Sequence, residues 1–312
     1  MTYEDIKYET DGRLAFVTLN RPKKLNALSN NLRGEMIHAM KEAEATKEVG
    51  VIVLRAEGRA FSAGYELAAR AASPDSPYVH PRSLLPDSGS THPGPMEWAR
   101  HVVATNWVIW ELAKPVVAQV QGYCLAGGTE LASICDFRIV AEDAQIGYPP
   151  VRAMTSVDMV WAPWHLPMAK AREFAYVGDS FSGRRMEELG WANYAVPPDD
   201  LASFTETFAR RMAHIDNDML MYSKRAVNRQ YEVMGIRTGL WSGTEIQALS
   251  TYRPAGGEFS RRVQEDGLKA ALEWRDGPFR DFRGAYESAP KERPLAGADG
   301  GGGAATDRYG ST

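Results

Sequence analysis

Two short segments of this chain combine residues whose types and spacing suit stabilisation of a negatively charged oxygen. The first runs from Gly58 to Leu67 through Phe61, Ser62, Gly64, Tyr65 and Glu66; the second runs from Gln121 to Asp136 through Gly127, Gly128 and Glu130. Each reads as a strand that ends in glycine and gives way to a helix. Glycine at a strand end lets the backbone turn sharply and approach a ligand closely. The first N–H groups of a following helix have no internal partner and point outward with the positive end of the dipole. Two such groups converging on one point would stabilise an enolate or a tetrahedral oxyanion. Loss of one typically costs about 2.7–4 kcal/mol of activation energy. A pair of ordinary turns satisfies the same local pattern, and spacing alone leaves both readings open.

The elements that must position these segments indicate an α/β fold. Leu14–Leu19 and Val49–Leu54 are apolar on both faces, as expected of strands covered on each side. Between them Leu32, Met36, Ala39, Met40 and Ala43 recur at helical spacing, with Ser29 as the N-cap. Pro115–Val120 and Phe137–Val140 make further strands, separated by the second glycine segment and a short helix from about Gly128. Strand and helix alternate in the manner of crossover connections. Beyond about residue 200 the pattern turns helical, with Leu201, Phe204, Phe208 and Met212 forming one stripe and Met219 to Val233 beginning another. Residues 73–95 hold six prolines and read as a long loop; the glycine-rich tail reads as disordered. The expected division is a core over 1–200, a helical region over 201–285 and a tail over 286–312.

Bulk properties narrow the function classes. A formal charge of −4 over 312 residues gives no basic excess, which argues against nucleic acid or an anionic membrane surface as partner. Cys124 and Cys135 lack metal-site spacing and suit a reducing compartment. The polar start has no signal-peptide core, and no run reaches the roughly 18 apolar residues of a membrane span. A cytoplasmic protein is expected.

Together the two segments resemble the signatures of the crotonase (enoyl-CoA hydratase/isomerase) superfamily, F-[SC]-x-G-x-[DE]-L and N-G-x-x-x-G-G-G-x-E-L-x-x-x-C-D. Leu19–Leu28 resembles that family's L-N-R-P-x-x-x-N-A-L entry segment, and Gly178–Ser182 and Glu188–Ala192 resemble two later ones. The resemblance spans about residues 3 to 280. It implies a ββα spiral core with a helical C-terminal trimerisation region, in a homotrimer or dimer of trimers. It also implies an acyl-CoA thioester substrate and no cofactor beyond the CoA carried by that substrate. Carried over residue by residue, the oxyanion donors are the backbone N–H groups of Tyr65 and Gly127. Lys23, Lys24 and Leu25 fall along the CoA, as do Ala63, Glu66 and Leu67 along its adenine and pantetheine channel.

Glu130 matches the family's first catalytic glutamate, three residues after Gly127 and on the same side of a helix. It would move a proton or orient water. The second glutamate of family hydratases is replaced by Pro150, which has neither a titratable group nor an N–H. Asp158, eight residues further on, falls by gapless counting on an aspartate used by other branches; a helix N-cap is the competing reading. Arg152 is a candidate partner for Asp158 or for an anionic acyl group. His101 is a further candidate base, and Trp161 with Trp164 and His165 would wall the acyl pocket. The expected activity is of the enoyl-CoA hydratase/isomerase type. A CoA-thioester or β-diketone C–C hydrolase is the alternative, and a non-catalytic RNA- or partner-binding homologue the remote one.

Overall fold

The computed structural model describes residues 2–67, 95–253, 255 and 257–279, with side chains described from Val102 onward in the helix that begins at Pro95. The proline-rich loop up to residue 94, the tail and the side chain of His101 lie outside the described residues.

The chain opens with an antiparallel hairpin, β1 (Ile6–Asp11) and β2 (Leu14–Leu19), followed by α1 (Asn30–Ala45). All six residues of β2 are buried, which is why it reads as a continuous apolar run rather than an alternating one. Ser29 caps α1 as expected, its hydroxyl accepting from the Leu32 N–H at 3.0 Å.

Three turns of a spiral follow. Each lays one strand in a large sheet, the next in a small sheet, and then closes with a helix. They are β3 (Val51–Ala56), β4 (Ala60–Ser62) and α2 (Pro95–Glu111); β5 (Val116–Val120), β6 (Tyr123–Leu125) and α3 (Gly127–Ile134); and β7 (Phe137–Ala141), β8 (Gln145–Gly147), α4 (Ala162–His165) and α5 (Met168–Val177). The chain then runs through β9 (Ser180–Ser182), α6 (Gly183–Glu188) and β10 (Tyr194–Val196). The large sheet has the order β1-β2-β3-β5-β7-β10, parallel from β2 onward, and the small sheet the order β4-β6-β8-β9. This is the ββα spiral that the sequence resemblance implied.

Helices then complete the described chain: α7 (Leu201–Ala213), α8 (Asn217–Val233), α9 (Ile236–Ser250), α10 (Glu258–Asp266) and α11 (Leu268–Asp276). On α7 the fully buried line is Leu201, Thr205, Ala209 and Ala213, with Phe204, Phe208 and Met212 half-buried beside it. The expected stripe on α8 differs more. Met219, Tyr222, Val227 and Val233 are exposed, and the helix is held inward by Leu220 and by Lys224, which ion-pairs with Asp136 at 2.8 Å. No helix among the described residues is long and apolar enough to cross a membrane.

For the site, the small sheet matters most. Strands β4, β6 and β8 are parallel neighbours, so their C-terminal ends lie side by side. Those ends carry Tyr65, Gly127 and Tyr148.

Candidate active site

The first turn is anchored by Asn26, a buried residue at φ 50°. Its side chain donates to the carbonyls of Glu57 (2.9 Å) and Ala60 (2.8 Å) and accepts from the Arg21 N–H (2.8 Å), so it closes the entry segment onto β4. Ala63 N–H donates to the Leu25 carbonyl at 2.9 Å, and Leu28 N–H to the Gly64 carbonyl at 2.8 Å. Leu28 and Tyr65 thus form a parallel bridge, whose bonds run through Gly64 and Glu66 rather than through the N–H of Tyr65. Gly64 has φ +97°, a conformation that residues with a Cβ rarely adopt.

The second turn is tighter. Ala126 stands at φ 50°, ψ −121°, strained for a residue with a side chain, and its N–H donates to the Gly147 carbonyl at 2.9 Å. That turn starts α3 at Gly127, so the Gly127 N–H is the first of the helix and carries the positive end of its dipole. A Cβ at Gly128 would stand 2.5 Å from the Ser62 carbonyl oxygen, so glycine there lets α3 press against β4. The position of a Cβ at Gly64 lies 3.2 Å from the Gly127 nitrogen, which brings the two turns into contact. Adjacent strands lie about 4.8 Å apart, so the turns that leave β4 and β6 are neighbours.

Glu130 is fully buried on α3. The Tyr65 hydroxyl donates to its Oε2 at 2.6 Å, while Oε1 has no protein partner among the described residues. The Tyr148 hydroxyl also faces this carboxyl and accepts from the Asp158 N–H at 3.1 Å. Asp158 is buried too, and its Oδ1 likewise has no protein partner among the described residues. A buried acceptor left this way costs about 1–3 kcal/mol, which marks both atoms as places for a ligand or a proton. Asp158 is not a helix cap, because α4 starts four residues later at Ala162.

The electrostatics follow from that crowding. Burial, and then the neighbouring Asp158 charge, push the Glu130 carboxyl well above the ordinary carboxylate range. Burial raises Asp158 to about 7, and the guanidinium of Arg33 limits the rise. Burial and the Glu130 charge hold the Tyr65 phenol well above its usual value, so it stays a donor; the same causes act on Tyr148. Arg33 itself is buried on α1, donates to Asn30 Oδ1 at 2.6 Å and stands 5.6 Å from the Tyr65 ring centroid. A coupled carboxyl pair beside one cation retains a proton near neutrality, and so holds an acid and a base at once.

The remaining sequence candidates divide. Lys23 and Lys24 are exposed on a short 3-10 turn, and Leu25 follows at φ 49°. Glu66 ion-pairs with Arg21 at 2.9 Å, which ties its carboxylate to the entry segment, and Leu67 is exposed. Arg152 does not meet Asp158. It pairs with Asp179 at 2.5 Å and Asp276 at 3.3 Å. Trp161 is buried against Phe174 and Trp191 and donates to Thr129 Oγ1 at 3.2 Å; with Trp110, Met159, Trp164 and His165 it surrounds a small cavity that Glu130 borders. Burial lowers His165 to about 3, so it is neutral there. Pro150 is buried in a 3-10 turn, its carbonyl accepting from Met154 and Thr155.

Arg33 and Tyr148 escaped the sequence reading. Arg33 follows Leu32 in the apolar stripe of α1, and no local spacing tells that this helix edge faces the site. Tyr148 stands one residue past the glycine that ends β8, where its parallel-neighbour relation to Tyr65 and Gly127 is a property of the sheet alone.

Comparison with known proteins agrees with this arrangement. A family model described as enoyl-CoA hydratase/isomerase matches residues 14–235. An enoyl-CoA hydratase/isomerase from Xanthobacter autotrophicus Py2 superposes with a TM-score of 0.78 at 33% identity, covering 89% of this chain and 99% of that one. An enoyl-CoA hydratase from Mycobacterium smegmatis gives a TM-score of 0.77 at 30% identity, over 88% and 94% of the two chains. A crotonyl-CoA hydratase of Syntrophomonas wolfei is 27% identical over 89% of this chain and 99% of its own length. With the spiral, the paired turns and the buried glutamate in place, this chain belongs to the enoyl-CoA hydratase/isomerase family.

Proposed function

We propose that the protein converts an acyl-CoA thioester by enoyl-CoA hydratase/isomerase chemistry, with Tyr65 and Gly127 N–H groups as the oxyanion hole and Glu130 and Asp158 as the proton-carrying pair. The observation that carries this reading is the meeting of two strand-end turns with two buried carboxyls at one place. The thioester oxygen gains negative charge as an enolate forms, and the two backbone donors strengthen as it does so. Arg33 favours the ionised form of Asp158, which makes Asp158 the base and protonated Glu130 the acid of the resting pair. In hydration, Asp158 takes a proton from water as its oxygen bonds to the β carbon, and Glu130 protonates the α carbon. In double-bond migration, the base removes an α proton and the acid protonates the γ carbon, with no water consumed.

Lys23 and Lys24 are suited to the CoA phosphates, and Leu25, Ala63, Glu66 and Leu67 to the walls along the pantetheine and adenine. Trp161 and its aromatic neighbours favour a compact or cyclic acyl end over a long straight chain. The apolar residues exposed on α8 and α9 support a homotrimer or dimer of trimers, formed through the region after residue 200. Buried, free Cys124 and Cys135 suit the cytoplasm.

Crotonyl-CoA and a 3-enoyl-CoA, followed by the ultraviolet absorbance of the conjugated thioester, test the reading. Glu130→Gln is expected to lower kcat by about 10²–10⁴-fold. A Glu130→Gln enzyme at the wild-type rate would refute the assignment. Free thiol released without change in the double bond would indicate the hydrolase instead.

A further inference from the structure

We propose that the Tyr65 side chain is a positioning residue for proton transfer: its hydroxyl holds Glu130 Oε2, which leaves Oε1 as the atom that exchanges a proton with the acyl group. The inference rests on the functional reading above and assigns a second task to a residue so far given only a backbone role.

The geometry carries it. The phenol reaches from the first turn onto α3 and meets Oε2 at 2.6 Å, within the range of a charge-assisted O–H···O bond. Its ring lies across the second turn: a Cβ at Gly127 would stand 2.5–2.8 Å from three ring atoms, so glycine at 127 is what admits the ring. The Arg33 guanidinium carbon stands 5.6 Å from the ring centroid. Held in this way, the hydroxyl has little freedom to leave Glu130. The opposite oxygen, Oε1, is buried and has no protein partner among the described residues. The Tyr148 hydroxyl and the Met159 N–H also approach this carboxyl, but its short bond is the one from Tyr65 to Oε2, so the two oxygens differ: Oε2 is firmly held and Oε1 is not.

The consequence is geometric coupling. The backbone N–H of Tyr65 is assigned to the carbonyl oxygen of the thioester, and its hydroxyl fixes the carboxyl that acts on the neighbouring carbon. A single residue thus sets the distance between charge stabilisation and proton transfer, at a site where position 150 offers no carboxylate to share the task. In the transfer itself the proton passes between Glu130 Oε1 and carbon, and the electron pair moves between that C–H bond and the enolate. Tyr65 keeps its own proton throughout.

Among the described residues, the charged and titratable groups facing Glu130 are Asp158 from the loop before α4, Arg33 from α1, Tyr148 from the end of β8, neutral His165 from α4, and Tyr65 itself. Removal of the Tyr65 hydroxyl takes away a donor that favours the carboxylate, so Glu130 holds its proton to higher pH.

The test is Tyr65→Phe, which keeps the ring and the backbone N–H. Expected are a kcat lower by about 10- to 100-fold, the equivalent of one charge-assisted hydrogen bond, and a KM close to wild type. The alkaline limb of the pH–rate profile should move to higher pH, which a packing change alone would not produce. A second readout needs no turnover: infrared titration of the carboxyl C=O band, assigned to Glu130 by its absence in Glu130→Gln, should show the same upward move in Tyr65→Phe. A Glu130 titration identical in wild type and Tyr65→Phe overturns the proposal. If the wild type converts no acyl-CoA while the infrared titration does move, the functional reading fails and the Tyr65–Glu130 coupling stands.

Discussion

Asp158→Asn is expected to make this protein more stable while disabling it, and the sign follows from burial. Asp158 titrates at about 7 in the folded chain against 3.8 for an unperturbed aspartate, chiefly because burial penalises its charge. Between those values the folded state binds more protons than the unfolded state at this group, so folding stability falls as pH rises from about 4 to about 7. This is the reverse of an exposed, salt-bridged aspartate, whose contribution grows with pH. Each pH unit is worth about 1.4 kcal/mol, so the penalty at pH 8 approaches about 4 kcal/mol. Asparagine has nearly the same shape and no charge, and it relieves this penalty. Arg33 loses one of its two carboxyl neighbours in the variant, but Glu130 then ionises more readily and replaces that partner. The offset leaves a net gain of about 1–3 kcal/mol at pH 8. Urea unfolding of wild type and variant at pH 5 and pH 8 measures it. The wild type should weaken between the two pH values, and the variant should weaken less. A variant less stable than wild type at pH 8, or an unchanged pH slope, would refute the burial argument.

Two further outcomes concern the turns. Gly128→Ala would place a methyl group 2.5 Å from the Ser62 carbonyl, a backbone atom that cannot step aside. The variant should lose about 1–3 kcal/mol of stability and, because α3 must back away from β4, about 10²–10³-fold in kcat; unfolding curves and steady-state rates on the same preparation check both. Ala126→Gly should act in the opposite sense on stability. It removes the strain of a side chain at φ 50°, worth about 1 kcal/mol or more, less the entropy of a freer unfolded chain. A melting temperature equal to or above wild type is the expected result.

Much of this protein is determined by the sequence itself. The continuous apolar runs of β2 and β3 announce strands covered on both faces, and Ser29 with the spacing of Leu32, Met36 and Met40 announces α1 and its start. Gly64, Gly127 and Gly128 make both turns legible from residue type and order, although the contacts that demand glycine there run between the two turns, to Ala126, Tyr65 and Ser62. Glu130 follows from its offset along α3. The strands, the start of α1, the glycine pattern and the offset of Glu130 are local signals: each is read from residues within a few positions of one another.

What only the tertiary structure decided is which distant groups share one buried space. Asp158 lies in an irregular loop, and whether its carboxyl caps a helix or faces Glu130 depends on how that loop folds back over β8. Arg152, next to it in sequence, is drawn instead to Asp179 and Asp276. The apolar residues of α8 read as a buried stripe, yet most are exposed, because periodicity reports that a helix has an apolar face and not what covers it. Tyr65 and Tyr148 converge on Glu130 because β4, β6 and β8 end side by side, and Arg33 joins them from α1, an element outside that sheet. Burial, and through it the raised carboxyls that make acid–base chemistry available, is a property of that convergence and of no single segment.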